Sequence, residues 1–248
     1  MLDFRTLFFV ALALYGASVL VTIARPVLGR WPLVAGSAVH LLAMVLRGIE
    51  IHFFPLSNKM ESFATAALAI ALVAVATWRP SRAYGLVMLA ALLAAMAGAA
   101  TFPMEVTYPS PLLLTVWYPL HIPLSFLSYA LWTGAAAAAV AFAVDRADAW
   151  VVQMERHALW GFGLWTAAMV CGGIWGVLAW GAYFLWDPKV LWSLILWFHF
   201  ASFVHVRLTP SLRSRTWVRP VLAWLGLCWV LVAYVGTSFF FGDSSHAF

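Results

Sequence analysis

The stretch Trp180-Gly-Ala-Tyr-Phe-Leu-Trp-Asp-Pro-Lys189 lies between two long apolar runs and gathers aromatic rings around a single acidic residue. Asp187 followed by Pro188 is a helix start, with Asp at the N-cap and Pro at the first helical position. The stretch is therefore read as a loop entering a helix. Capping accounts for Asp187 and Pro188 but not for Trp180, Gly181, Tyr183 and Trp186 just before them. An aromatic shelf of this kind suits a flat ligand.

The runs on either side set the fold class. The chain has 248 residues, of which 65% are hydrophobic and 9% charged, and its mean hydropathy is +0.95. No soluble domain has that balance. A helix crossing a bilayer needs about 20 predominantly apolar residues, and eight such spans are predicted, roughly at 7–24, 32–48, 61–78, 84–102, 121–144, 157–178, 190–207 and 219–239. The expected architecture is an all-α, polytopic transmembrane bundle formed by one domain over residues 1–248. The first span is read as retained, because it is too long for a secretion signal, carries Asp3 beside Arg5 and lacks a clear small-residue cleavage site. The Ala135–Ala139 run in the fifth span predicts a close helix–helix contact.

Cations orient the bundle, since Lys and Arg are retained on the cytoplasmic side. One set of loops holds Arg25, Arg30, Arg79, Arg82, Arg146, Arg156, Arg207, Arg213, Arg215 and Arg219, and the other only Arg5, Arg47, Lys59 and Lys189. Both termini are thus expected outside. The net charge of +5 follows from this topology and gives no support to nucleic-acid binding. The outer side then holds His52–Ser62, the tryptophan-rich loop, the start of the fifth span at His121, and the tail with His246.

Histidine in or beside a span is costly unless partnered, so each of the seven invites a functional reading. Two readings stand for His121 and His246: axial ligands of haem iron beside the aromatic loop, or interfacial histidines bonded to water. His205 falls roughly 22 Å along the seventh helix at 1.5 Å per residue. It is either a ligand at a second depth or a side chain reaching the surface beside Arg207. His199 is read as an interhelical hydrogen-bond partner, and His40 as either that, the preferred reading, or an extra ligand. His157 is read as a solvated residue of an inner loop. Zinc fits poorly, because the outer face has no cysteine and no His-x-x-x-His spacing. Hydrolysis fits no better, for want of a Ser-His-Asp arrangement. Cys171 and Cys228 lie in separate spans and read as small packing residues.

Beyond these physical readings, the chain resembles the haem-handling proteins of cytochrome c maturation, of the CcsA (ResC) type. Their tryptophan-rich signature, the WWD loop, runs roughly W-G-x-Y-W-x-W-D-P-K-E and matches Trp180–Val190 inside a loop region of about 175–192. Gly172-Gly-Ile-Trp175, Trp192, Trp197 and His205-Val-Arg207 extend the likeness. So do His121-Ile-Pro-Leu-Ser-Phe-Leu-Ser-Tyr-Ala130, His52-Phe-Phe-Pro-Leu-Ser-Asn-Lys-Met-Glu-Ser62, and Tyr234-Val-Gly-Thr-Ser with His246. The resemblance implies that His121 and His246 ligate haem b iron at the outer face, with Trp180, Gly181, Tyr183, Trp186 and Asp187 lining the site. It implies His205 as an intramembrane ligand, a CcsB (ResB) membrane partner, apocytochrome c as acceptor, and a bacterial inner or thylakoid-type membrane. Phe184, Val190 and His199 depart from the pattern, and Val190 removes a carboxylate. The alternatives are a HemX-like regulatory or scaffold protein of haem metabolism, and a transporter of another flat hydrophobic solute.

Overall fold

A computed structural model describes residues 3–239, so His246 and the rest of the tail after Phe239 lie outside the described residues. The described residues are helical and without strands, and eight of the helices are long and apolar enough to cross a membrane. They fall into two compact units, Met1–Leu114 and Thr115–Phe248.

The first unit contains α1 (Phe4–Ala24), α2 (Arg30–Ile51), α3 (Lys59–Thr77) and α4 (Arg82–Ala100), followed by a short 3-10 turn at Pro111–Leu113. Helix α1 packs on α2 and α4, and α3 on α4 and α2. Side-chain caps set several of the starts: Asp3 accepts from the Thr6 N–H at 2.8 Å, and Asn58 from the Glu61 N–H at 2.9 Å. The Thr6 bonds hold the Asp3 carboxyl below its ordinary range. His52, at φ 54°, ends α2 in the left-handed conformation, while the Phe53 N–H returns to the Gly48 carbonyl. Within the unit, Tyr15 of α1 hydrogen-bonds His40 Nδ1 of α2 at 3.2 Å, the interhelical role expected of His40. A Cβ on Gly36 would come within 2.8 Å of the Tyr15 ring, so glycine is what admits that ring.

One end of this unit is organised by an ion pair that sequence reading did not find. Arg47 and Glu61 are both buried, and Arg47 Nε donates to Glu61 Oε1 at 2.8 Å. The remaining guanidinium nitrogens donate to the carbonyls of Met104 (3.2 Å) and Glu105 (2.6 Å). The other carboxylate oxygen of Glu61 accepts from Ser57 N–H (2.9 Å) and Oγ (2.8 Å). One pair thus ties the end of α2, the start of α3 and the segment after α4 together. Arg47 also stands over the Phe4 ring, 5.5 Å from its centroid.

The second unit contains α5 (Trp117–Asp145), α6 (Asp148–Trp180), α7 (Pro188–Leu208), the single turn α8 (Pro210–Arg213) and α9 (Val218–Leu231). Helix α9 continues through a π turn at Val232–Gly236 into α10 (Thr237–Phe239). The expected close contact is present, because Ala135–Ala139 are all buried where α5 lies along α6. His157 is not the solvated loop residue expected. Helix α6 already begins at Asp148, so polar residues that lower the hydropathy of 148–156 are its first turns, and His157 is buried against Gly134 of α5.

Removing one partner of a buried ion pair strands the other charge, at a cost of about 3–5 kcal/mol. Arg47→Ala and Glu61→Ala are each expected to destabilise the protein by that order, read as a lower midpoint of unfolding in detergent. The double substitution is expected to cost less than the sum of the two.

Candidate functional site

The two ends of the second unit present different chemistry. At the loop end, α5 begins, α6 ends and α7 begins. Gly181 closes α6 at φ 76°, a left-handed position that glycine takes without strain, and its N–H bonds the Val177 carbonyl at 2.9 Å. Asp187 is buried and accepts from the Lys189 N–H at 2.8 Å, with Pro188 at the first position of α7, as the sequence predicts. Between these two caps the chain folds back on α6. A Cβ on Gly176 would meet the Ala182 carbonyl at 3.0 Å.

His121 sits in the first turns of α5, and its Nδ1 lies 2.7 Å from the Ala168 carbonyl of α6. A carbonyl only accepts, so Nδ1 carries the proton and Nε2 keeps its lone pair. Gly172 makes this possible, because a Cβ there would stand 2.7 Å from His121 Nδ1. The imidazole stacks on Trp175 with ring centroids 6.2 Å apart at 26°. Trp175 in turn touches Tyr118 (4.9 Å) and Trp180 (4.8 Å). The structure therefore brings together His121, Trp180 and the loop, with Trp175 at the centre. The site residues anticipated from sequence omit Trp175, although it stands in the Gly172-Gly-Ile-Trp175 segment that extends the likeness.

Tyr183 is 74% exposed and Trp186 86% exposed, with Trp186 edge-on to Phe184 at 5.4 Å. These rings form an uncovered aromatic rim, whereas Trp175 and Asp187 are buried. A little deeper, Tyr234 of the π turn contacts Phe126 (5.2 Å) and Tyr129 (6.2 Å). The wider turn leaves carbonyls that hydroxyls take up: Thr237 donates to Ala233 and Ser238 to Tyr234, each at 2.6 Å. Such turns are frequent where a helix serves a site.

His205 is not part of this cluster. It lies near the basic end of α7, exposed, and its Nδ1 pairs with the Ala201 carbonyl at 2.8 Å, again leaving Nε2 with its lone pair. It lines a cavity of about 660 Å³ between α7 and α9, together with Phe198, Ser202, Arg215 and Trp217. Glu155 of α6 braces both walls, 2.9 Å from Arg219 of α9 and 3.8 Å from Arg207 of α7. His199 has the reverse arrangement. Its Nε2 donates to the Leu222 carbonyl at 2.9 Å, the interhelical bond expected of it.

Among the described residues no three His, Cys, Asp or Glu side chains converge to cage a bare ion. A macrocycle supplies its own equatorial nitrogens and asks the protein for axial donors and flat apolar walls. His121 with Trp175 and Trp180, and His205 with Phe198 and Trp217, each offer that combination. Metal-ligating histidines characteristically donate their second ring N–H to a carbonyl or carboxylate, as both do.

Residues 5–242 match the family described as cytochrome c assembly protein. The cytochrome c biogenesis protein CcsA of Gloeobacter violaceus is 44% identical over 80 residues, 32% of this chain and 23% of that protein. CcsA of Porphyra purpurea is 40% identical over 89 residues, 36% of this chain and 27% of that protein. The matched stretches thus span about a quarter of these relatives' lengths. The solved structure of a cytochrome c haem lyase, CcmF, superposes with a TM-score of 0.73 over 94% of this chain and 47% of that one, at 18% identity, a likeness of fold.

Glu155→Gln removes the acceptor charge shared by Arg207 and the buried Arg219. Breaking a fully buried ion pair costs about 3–5 kcal/mol, and with Glu155 partly exposed a smaller loss is expected. Amide exchange should quicken across residues 205–219 and stay unchanged around Trp175.

Proposed function

The chain belongs to the cytochrome c assembly protein family, and from that membership we propose that it holds haem b for delivery to apocytochrome c. The single observation that carries this reading is the matched tethering of two histidines, each with Nδ1–H on a backbone carbonyl and Nε2 left for iron. His205 is the ligand near the basic end, facing the cytoplasm by the distribution of Arg and Lys. His121 would hold haem at the loop end, on the outer side, together with His246, which lies outside the described residues.

In this reading each residue does a limited job. Ala168 and Gly172 set the tautomer and angle of His121. Trp175 and Trp180 form the flat wall beside it, Gly181 and Asp187 fix the two ends of the loop, and exposed Tyr183 and Trp186 meet the incoming acceptor. Haem brings a redox-active iron and two vinyl groups that the acceptor's Cys-x-x-Cys-His cysteines join. His121 and His246 would hold the haem until the apocytochrome, which brings its own histidine, receives it. A CcsB-like membrane protein completes the ligand set at His205. The setting is a bacterial inner or thylakoid-type membrane.

A regulatory protein of haem metabolism is the second reading, and Val190, where relatives of the resembling type carry Glu, favours it. Purified protein, alone and with a CcsB-like partner, distinguishes the two. We expect a Soret band of imidazole-ligated haem that weakens in His121→Ala and in His205→Ala. Absence of haem under both conditions would overturn the haem reading. Gly172→Ala keeps the iron ligand but crowds its tether, and is expected to weaken haem retention about 10–100-fold, the usual effect of disturbing a ligand's supporting hydrogen bond.

A further inference from the structure

The cavity beside His205 has one cation on its wall and no acid. Its lining is mostly apolar, and of its polar members Ser202 donates to the His199 carbonyl at 2.7 Å while His205 Nδ1 is taken by Ala201. What remains is His205 Nε2, a lone pair, and the Arg215 guanidinium, a planar fork of donors. Of the other cations at this end, Arg219 pairs with Glu155 and donates to the Arg213 carbonyl at 3.0 Å, and Arg207 pairs with Glu155. Arg215 itself is held at its backbone, where its N–H meets the Leu212 carbonyl at 3.1 Å.

Arg215 and His205 are both exposed on the wall of this open, largely apolar groove, and a planar guanidinium fork that shares a lining with an imidazole lone pair suits an anion carried by a guest that reaches both. The guest must therefore offer an electron-pair acceptor to His205, an apolar body to Phe198 and Trp217, and a carboxylate or phosphate to Arg215. A lipid supplies the second and third but not the first, whereas an iron porphyrin with acidic side arms supplies all three.

We propose that Arg215 is the carboxylate-binding residue of the His205 cavity, so that a propionate-bearing iron porphyrin is held with its acidic edge at Arg215 and its iron at His205. The proposal rests on the haem reading above and adds to it the residue that gives the guest its direction. A porphyrin held this way has its acidic edge at the basic end of the unit, and its apolar edge points along α7 toward the loop end. The fork geometry of arginine makes Arg215 a positioning residue rather than a general attraction. Lysine, a point charge of the same sign, should restore only part of the effect.

The test is a titration of the full-length purified protein, with His121→Ala present so that the loop-end ligand is removed. The probes are iron protoporphyrin IX and its dimethyl ester, which lacks the free carboxylates. Arg215→Ala is expected to weaken binding of the free acid about 10- to 100-fold and to leave the ester's affinity and the imidazole-ligated Soret position unchanged. Arg215→Lys should fall between. An equal loss for acid and ester would show that Arg215 acts through the fold and would overturn the proposal. So would unchanged binding of the acid in Arg215→Ala while His205→Ala still abolishes the Soret signal, an outcome that leaves the haem reading standing. Co-purification of an anionic lipid that disappears in Arg215→Ala, with haem affinity intact, would assign the cavity to lipid instead. No haem binding in any variant would remove the haem reading itself, and this proposal with it.

Discussion

Close approach of α5 and α6 is the constraint on which the second unit depends. Lipid tails are as apolar as leucine, so helices in a bilayer associate through tight packing and hydrogen bonds rather than hydrophobic exclusion. Here three heterocycles are each seated on a glycine of the opposite helix: His121 on Gly172, Trp132 on Gly161, and His157 on Gly134. Each contact would be closed by a single added methyl group. The buried Ala135–Ala139 strip follows directly after Gly134, and Ser128 donates to the Gly161 carbonyl at 2.7 Å. The other helices arrange around that pair. Trp132 stacks on Phe200 of α7 at 4.0 Å and 5°, and Gly226 of α9 clears room for the same indole.

That packing makes chemistry out of backbone. A carbonyl inside a helix is normally spent on the N–H four residues on, yet it has a second lone pair. Ala168 and Ala201 lend theirs to imidazoles, which decides which nitrogen of each ring is left over without recruiting a carboxylate. In a low-dielectric setting a carboxylate in that place would be costly to bury. The first unit uses the opposite device: Arg47 and Glu61 are brought together, and nearly every polar atom they present is answered by backbone or by Ser57.

Much of this was legible from the sequence, and the parts that were not share a cause. Eight spans follow from apolar run length, and Asp187-Pro188 marks a helix start by local rules alone. His40 and His199 could be assigned to interhelical hydrogen bonds because an intramembrane imidazole has few other options. By contrast, hydropathy registers where lipid ends rather than where helix ends, so the polar first turns of α6 read as loop and His157 was misplaced. Arg47 and Glu61 look like separate loop charges, since their meeting depends on how α2, α3 and the segment after α4 converge. Trp175 and Arg215 were visible as letters but not as neighbours of His121 and His205.

The π turn at Val232–Gly236 carries a consequence for how this helix can change over time. An α-helix turns 100° per residue at about 3.6 residues per turn, and a single wide turn accommodates one extra residue while the strands of packing on either side stay in phase. The segment therefore behaves as a splice: Tyr234 is displaced toward Phe126 and Tyr129, yet Val218–Leu231 keeps the face it presents to α5 and α7. Losing one residue there would heal the backbone into regular helix. It would leave Thr237–Phe239 in phase with Val218–Leu231 and withdraw Tyr234 from Phe126 and Tyr129, so the extra residue serves the placement of that ring rather than the course of the helix.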